Sequence, residues 1–169
     1  MRLRLMIASV LLIALVGFAM AQHTEQDMPA VVHASKLKFA SIPGIPDCAT
    51  GAPLRGDPSK GAFVLEVHSN AGCTIPTHWH STNEEVAMIS GSASVTMGKQ
   101  SPQAMGSGAY VFLPAKAHHS FTCNVTCSFF LMVDGAFDIH YVDKSGKEIS
   151  PDEALKAVGE KQAPMKTKK

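Results

Sequence analysis

Short apolar runs separated by turn residues are the dominant pattern of the chain. From residue 36 onward these runs alternate with stretches rich in glycine, proline, asparagine and aspartate. Such a pattern predicts β-strands, and many short strands at this spacing are typical of a sandwich or a barrel. The predicted strands cover residues 36–40, 62–68, 74–80, 84–90, 93–97, 110–113, 119–123, 128–133 and 137–142.

One helix is predicted, close to the C-terminus. Ser150 stands at an N-cap position, Pro151 follows at the first helical position, and Glu153 completes a capping box. The next residues form a small apolar face, and Gly159 ends the helix. We expect residues 146–169 to be a helix that braces the barrel, followed by a basic tail.

The N-terminus has the features of a targeting segment. Two arginines precede an apolar run over residues 5–18, and Ala19-Met20-Ala21 forms a small-x-small cleavage site. The competing interpretation is a membrane anchor, but the run is shorter than the roughly 20 residues that a spanning helix needs. Residues 1–21 are therefore predicted to be a signal peptide. The mature protein is expected to be periplasmic or secreted, with no membrane association after cleavage.

Composition indicates one domain and argues against a nucleic-acid partner. The chain has 15 basic and 14 acidic residues, and removal of Arg2 and Arg4 with the signal peptide leaves it close to neutral. No large basic field remains to bind nucleic acid. Residues 22–35 are polar and predict a flexible lead-in, and residues 36–145 are long enough for one β-barrel domain with a core.

Four cysteines in an exported chain can form two disulfides in three connectivities. Cys123 and Cys127 would lie roughly 13 Å apart along an extended strand, whereas disulfide-bonded Cα atoms lie within about 7 Å. They can pair only if residues 124–126 form a hairpin turn, which would leave Cys48 to pair with Cys73. Alternatively, Cys123 lines the interior as a free thiol or binds a metal.

Three histidines and a glutamate are the candidate metal ligands: His78, His80, Glu84 and His119. Alternate residues of a strand face the same side, so His78 and His80 point together and Trp79 points away. Glu84 has the same parity unless a turn at residues 81–83 resets the register. Neutral imidazoles with one carboxylate suit a divalent first-row metal. Four ligands with open coordination positions are typical of a reactive or ligand-accepting site.

The residues around these ligands form two motifs. In the first, a glycine is followed by five residues, His-x-His, three residues, the glutamate, six residues and a second glycine; it comprises Gly72, His78, His80, Glu84 and Gly91. In the second, a glycine is followed by five residues, a proline, four residues and a histidine; it comprises Gly108, Pro114 and His119. Both motifs resemble those of the cupin family, in their order and at the expected separation.

Two positions depart from the cupin pattern. Lys116 stands where glycine is usual, and lysine tolerates positive φ poorly. Cys123 stands where asparagine is usual, a position that does not ligate the metal in the family. The resemblance covers roughly residues 36–142 and is strongest to small, single-domain, secreted cupins.

The resemblance implies an all-β fold: a single antiparallel jelly-roll barrel of six to nine strands with the metal inside. It selects Glu84 over its rival Glu85, because the six-residue gap to Gly91 fits Glu84. His118 is expected to face away from His119. Val86, Met88 and Phe121 are expected to project inward beside the ligands, as core or as an apolar pocket wall.

The resemblance also implies one divalent transition metal, which could be iron, manganese, nickel, copper or zinc. The expected activity is that of a metal-dependent oxygenase or isomerase on a small organic molecule. The alternative is a non-enzymatic metal-dependent sensor or small-ligand-binding module. A homodimer is a further expectation from the family. Arg55 is the one arginine of the mature chain, which counts against dicarboxylate or sugar-phosphate substrates.

Overall fold

The computed structural model describes residues 30–159. The predicted signal peptide, most of the predicted lead-in and the basic tail lie outside the described residues. Within residues 30–159, no helix is both long enough and apolar enough to cross a membrane.

Residues 30–159 contain eleven strands, which pair antiparallel in two sheets. The strands are β1 (Ala40–Ser41), β2 (Ala49–Arg55), β3 (Phe63–Ser69), β4 (Thr74–Trp79), β5 (Glu84–Ser90), β6 (Ser92–Met97), β7 (Gln103–Gly106), β8 (Tyr110–Leu113), β9 (His119–Cys123), β10 (Cys127–Val133) and β11 (His140–Tyr141). The first sheet has the order β1-β2-β3-β10-β5-β8 and the second has the order β11-β4-β9-β6-β7. One helix, α1 (Pro151–Gly159), follows the strands. The predicted all-β jelly roll with a short C-terminal helix is confirmed.

The core lies between the two sheets and is built from alternate residues of the longer strands. In β3 and β10 every second side chain is buried, among them Phe63, Leu65, Phe129 and Leu131. This period of two follows from the pleat of a strand. Each such side chain contributes roughly 1.5–3 kcal/mol when it is fully buried, so the alternating pattern fixes which face of each strand turns inward.

Gly91 shows why the first motif ends on a glycine. It connects β5 of one sheet to β6 of the other with a φ of 77°. A Cβ at this position would collide with the carbonyl oxygen of Thr126. Only glycine adopts this conformation and allows this close approach without strain.

Several predicted strands differ from those observed. The strand predicted at residues 36–40 is wrong, because a short 3-10 helix occupies Ala34–Lys36 and pairing starts only at Ala40. Strands β2 and β7 were not predicted, since β2 contains Gly51 and Pro53 and β7 is short and partly polar. The strand predicted at 137–142 is reduced to β11. The two additional strands, β2 and β7, raise the count above the expected six to nine.

The predicted helix is confirmed, with its cap. The Ser150 side-chain oxygen accepts a hydrogen bond from the Glu153 backbone N–H at 3.2 Å. Ala154 is buried, and α1 lies against β4 and β11. The helix therefore packs on the second sheet, as a brace would.

Both disulfides that the sequence favoured are present. The Cα atoms are 5.6 Å apart in Cys48–Cys73 and 5.9 Å apart in Cys123–Cys127. Cys123 is therefore neither a free thiol nor a metal ligand. Residues 124–126 do form a tight turn, but it is not a hairpin within one sheet, because it joins β9 of the second sheet to β10 of the first.

Each disulfide links the two sheets at the same end of the barrel. Cys48 directly precedes β2 and Cys73 directly precedes β4, which lie in different sheets. The backbones of Cys73 and Cys123 are hydrogen-bonded to each other at 3.0 Å, which places the two bridges side by side. Strand β9 runs from His119 to Cys123, so the bridges lie at the end opposite the histidines.

The two disulfides are expected to differ in their contribution to stability. The Cys48–Cys73 bridge spans 25 residues and the Cys123–Cys127 bridge spans four. Chain entropy then predicts a loss of roughly 3 kcal/mol for Cys48→Ala with Cys73→Ala, and of roughly 2 kcal/mol for Cys123→Ala with Cys127→Ala. Urea unfolding of the two double variants measures both values. Equal losses, or a larger loss for the shorter loop, would contradict this ranking.

Candidate metal centre

The four predicted ligands lie together at the end of the barrel opposite the disulfides. His78 is the last inward-facing residue of β4. His119 is the first residue of β9, and it pairs with His78 in the register of the second sheet. Glu84 begins β5, which belongs to the other sheet. With His80, these residues offer ligand atoms that all lie within 4.8 Å of one another, and each residue is at most 8% exposed.

The backbone fixes the orientation of all three imidazole rings. Each Nδ1 contacts a carbonyl oxygen, so it carries the proton and donates it. The Nε2 atom of each neutral ring is then left with its lone pair, on the side that faces the cluster. The carbonyl partners are Pro76 for His78 at 2.6 Å, Ala117 for His119 at 2.8 Å, and Asp138 for His80.

Two of these Nε2 atoms are buried without a hydrogen-bond partner among the described residues, those of His80 and His119. An Oε2 atom of Glu84 lies 2.5 Å from Nε2 of His80 and 3.7 Å from Nε2 of His119. Oε2 of Glu84 and Nε2 of His80 are close enough for a hydrogen bond, but their relative orientation does not form one. Lone pairs that face a carboxylate away from water repel it unless a proton or a metal cation lies between them. The donor set therefore fits a divalent metal ion.

The ionisation of the cluster is consistent with this fit. Burial lowers the pKa of His78 well below its usual value, and the neighbouring His119 and His80 lower it further. Burial alone would raise the pKa of Glu84, but His119 and His80 outweigh burial and hold it below its usual value. Burial opposes the protonation of His80, yet Glu84 raises the net pKa of His80. The site thus favours a charged carboxylate with positive charge beside it.

The neighbouring candidates are excluded from the cluster. Glu85 points outward and accepts a hydrogen bond from the Tyr110 hydroxyl at 2.6 Å. His118 is half-buried on the other face of the chain, near Gly146. Strand β4 ends at Trp79 and a turn intervenes before β5, but this turn leaves Glu84 facing inward.

A network of loop residues that sequence reasoning missed supports the site. The backbone and side-chain nitrogens of Asn83 donate to the Asp134 carboxylate at 2.9 and 2.6 Å, and its side-chain oxygen accepts from the Ala115 N–H at 2.9 Å. The Asp138 carboxylate accepts from the Ser81 N–H at 2.8 Å. Three loops around the histidines are therefore bound to one another. Polar loop residues are common, and no sequence signal marked these.

A small cavity of about 30 Å³ adjoins the cluster. His78, His80 and Glu84 form its polar wall, and the rest of its lining is apolar. Of the three side chains expected beside the ligands, Val86 and Phe121 line the cavity, whereas Met88 is buried in the core away from it. Sequence reasoning missed the lining residues Ile42, Ile45 and Phe137, which lie on loops. This volume holds one or two water molecules.

The fold and the buried cluster together define a cupin. The chain belongs to the family of ChrR cupin-like domains, whose family model matches residues 27–138. A search of curated proteins found no significant match.

Solved structures of other cupins share the fold at low sequence identity. The polyketide cyclase RemF of Streptomyces resistomycificus superimposes with a TM-score of 0.62 at 20% identity, over 77% of this chain and 93% of that protein. An acetylacetone dioxygenase of Acinetobacter johnsonii gives 0.58 at 21% identity, over the same shares of both chains. The DMSP lyase DddQ of Ruegeria pomeroyi gives 0.55 at 19% identity, over 67% of this chain and 64% of that one.

Lys116 occupies the position where glycine is usual in the second motif, and it adopts a φ of 63°. Its backbone N–H donates to the His80 carbonyl at 2.8 Å, so the left-handed turn brings the β8–β9 loop against the histidine. A left-handed conformation costs a residue with a side chain roughly 1–2 kcal/mol. The chain keeps the turn in spite of this cost.

Replacing Lys116 with glycine is therefore expected to stabilise the protein. The relief of strain exceeds the added entropy of the unfolded chain, and we expect a net gain of about 1 kcal/mol. The matched control is Ala115→Gly, one residue earlier, where φ is not positive; this change is expected to destabilise by roughly 0.5–1 kcal/mol. Thermal unfolding measures both. A loss of stability in Lys116→Gly would show that the turn is not strained.

Proposed function

We propose that this chain is an exported cupin-domain protein that binds one divalent transition metal ion through His78, His80, Glu84 and His119. We further propose that it acts as a metal-dependent oxygenase or isomerase on a small organic molecule. The observation that carries the proposal is the convergence of buried imidazole Nε2 atoms on one carboxylate, with every Nδ1 bound to a backbone carbonyl.

The residues of the chain have two roles in this proposal. The four ligands supply three neutral nitrogens and one negative charge, which leave a divalent ion with a net positive charge and open positions. When bound, the ion would polarise or orient an oxygen or sulfur atom of the substrate. The small apolar cavity leaves room for only one or two water molecules, and this low water content strengthens electrostatic interactions at the site.

Two further observations support parts of the proposal. Disulfides persist in oxidising compartments, so the two bridges support a periplasmic or secreted location, which agrees with the predicted signal peptide. The cyclase, dioxygenase and lyase with the same fold are enzymes by their names. They support small-molecule chemistry as the class to test.

The second candidate is a non-enzymatic module that binds a metal and a small ligand. It is favoured by the lining of the cavity, in which the titratable side chains are His78, His80 and Glu84. All three belong to the proposed ligand set, which leaves no separate general base among the described lining residues. A sensor that works through free thiols is disfavoured, since all four cysteines are paired.

Metal content tests the site directly. Protein purified from its native compartment is expected to contain about one metal ion per chain by elemental analysis, as a four-ligand site requires. His119→Ala should lose the ion, because one of four ligands is removed. His118→Ala, the adjacent histidine on the opposite face, should retain it.

A second matched pair checks the carboxylate. Glu84→Gln should lose metal and Glu85→Gln should retain it, since only Glu84 reaches the cluster. A wild-type protein without metal, or equal loss in both members of either pair, would refute the proposed site.

Oxygen consumption separates the oxygenase from the other candidates. The metal-loaded protein is to be assayed with phenols, thiols and diketones after reconstitution with iron, manganese, nickel or copper in turn. We expect turnover with at least one combination, and its loss in His119→Ala. Conversion of a substrate without oxygen uptake would favour an isomerase. A metal-replete protein that turns over nothing would favour the binding module.

A further inference from the structure

Two side chains separate the cavity beside the metal centre from a groove on the protein surface. The groove has a volume of about 430 Å³ and lies against the loop between β1 and β2. Ile42 and Phe137 line both the groove and the inner cavity. They therefore form a partition, with the outer groove on one side and His78, His80 and Glu84 on the other.

Both members of the partition lie on loops and not on strands. Ile42 belongs to a loop that the Tyr141 hydroxyl binds, by donating to the Gly44 carbonyl at 2.8 Å. The Phe137 backbone N–H donates to the Pro58 carbonyl at 2.8 Å. Both partition side chains are half-buried. They can change rotamer without breaking a strand pairing. The Phe137 ring packs against the rings of Phe63 and His80, so its movement exchanges these contacts for others.

The lining of the groove selects the kind of molecule that fits it. The described lining residues other than the partition are alanine, glycine, proline, leucine and serine, and none carries a charge. Arg55 does not line the groove. A charged ligand would lose its hydration there without an ionic partner, at a high cost in free energy. The volume matches the range of sites for small organic molecules.

We propose that the groove binds a small uncharged organic molecule with an apolar body and one oxygen or sulfur donor atom, and that movement of Ile42 and Phe137 admits the donor atom to the metal centre. The approach to the metal rests on the proposed function, whereas binding in the groove does not. The inner cavity alone is too small for such a molecule, so the body of the ligand stays in the groove.

The first experiment tests the groove in the metal-free protein. Full-length mature protein with ¹³C-labelled isoleucine methyl groups is titrated with acetophenone and with benzoate, which match in size and differ in charge. Acetophenone should shift the Ile42 methyl resonance saturably, and benzoate should bind at least about tenfold more weakly, because its charge would be buried unpaired. Ile42→Trp should weaken acetophenone binding by a similar factor, and Ile89→Trp, on the outer surface, should not. In both variants binding is read from the broadening of the acetophenone proton signals, because Ile42→Trp has no Ile42 methyl group. Equal binding of the two probes, or no saturable shift, would overturn the proposal.

The second experiment tests the partition in protein loaded with Co²⁺. The paramagnetic ion increases the relaxation rate of the acetophenone protons, and the increase grows with the fraction of the probe that lies close to the ion. Ile42→Ala should increase this relaxation several-fold, and Ile42→Val should give a smaller increase. Ile45→Ala is the matched control: it removes the same side chain from the same loop, but Ile45 lines the inner cavity and not the groove.

The outcomes separate the partition from the metal site. Failure to bind Co²⁺ would refute the proposed function and leave the groove result standing. Binding of Co²⁺ with equal relaxation in Ile42→Ala and Ile45→Ala would refute the partition and leave the metal site standing. Wild-type methyl resonances for the remaining isoleucines in Ile42→Ala and Ile45→Ala ensure that the comparison is made on folded protein.

Discussion

At the end of the barrel that carries the histidines, the structure depends on the contacts that keep buried donor atoms facing one another. Lone pairs of imidazole nitrogens and a carboxylate converge within 4.8 Å in a setting with little water. Such an arrangement repels itself unless a cation is present, and it persists because the surroundings leave the rings no other orientation. The three Nδ1–carbonyl contacts provide this constraint. Because one of the three carbonyls belongs to the β10–β11 loop, the loops take part in defining the site.

The two ends of the barrel are stabilised in different ways. At one end, two disulfides join the sheets covalently where β9 meets β10 and where β2 and β4 begin. At the other end, the loops around the histidines are joined by hydrogen bonds from Asn83, Ser81 and Lys116. Covalent links fix the spacing of the sheets, whereas hydrogen bonds between loops break and re-form locally at lower cost. This distribution places the adjustable contacts beside the four candidate metal ligands.

The parts of the site that the sequence predicted are those governed by short-range geometry. The period-two alternation of a strand placed His78 and His80 on one face and sent His118 away from His119. The motif spacing selected Glu84 over Glu85. The hydrogen-bonding carbonyls of Pro76, Ala117 and Asp138 could not be predicted, because a backbone carbonyl has no residue-specific signature. Ile42 and Phe137 lie on loops whose positions depend on tertiary contacts such as the Tyr141–Gly44 hydrogen bond. Strand β2 was not predicted for a different reason, since it contains Gly51 and Pro53, residues that strands usually avoid.

The cavity beside the candidate metal centre is small, and its volume limits how an organic molecule could approach the four candidate ligands. An organic molecule cannot be enclosed in about 30 Å³, so a ligand must either present one small donor atom to the metal or displace the side chains of the wall. Displacing β-strand residues such as Val86 or Phe121 would disturb the core that both sheets share. Displacing Ile42 or Phe137 moves partly buried loop side chains at the edge of the core, next to an apolar groove. The less costly movement is the one that would connect the groove to the candidate metal site. The cavity volume is therefore consistent with the proposal that a ligand presents a single donor atom there.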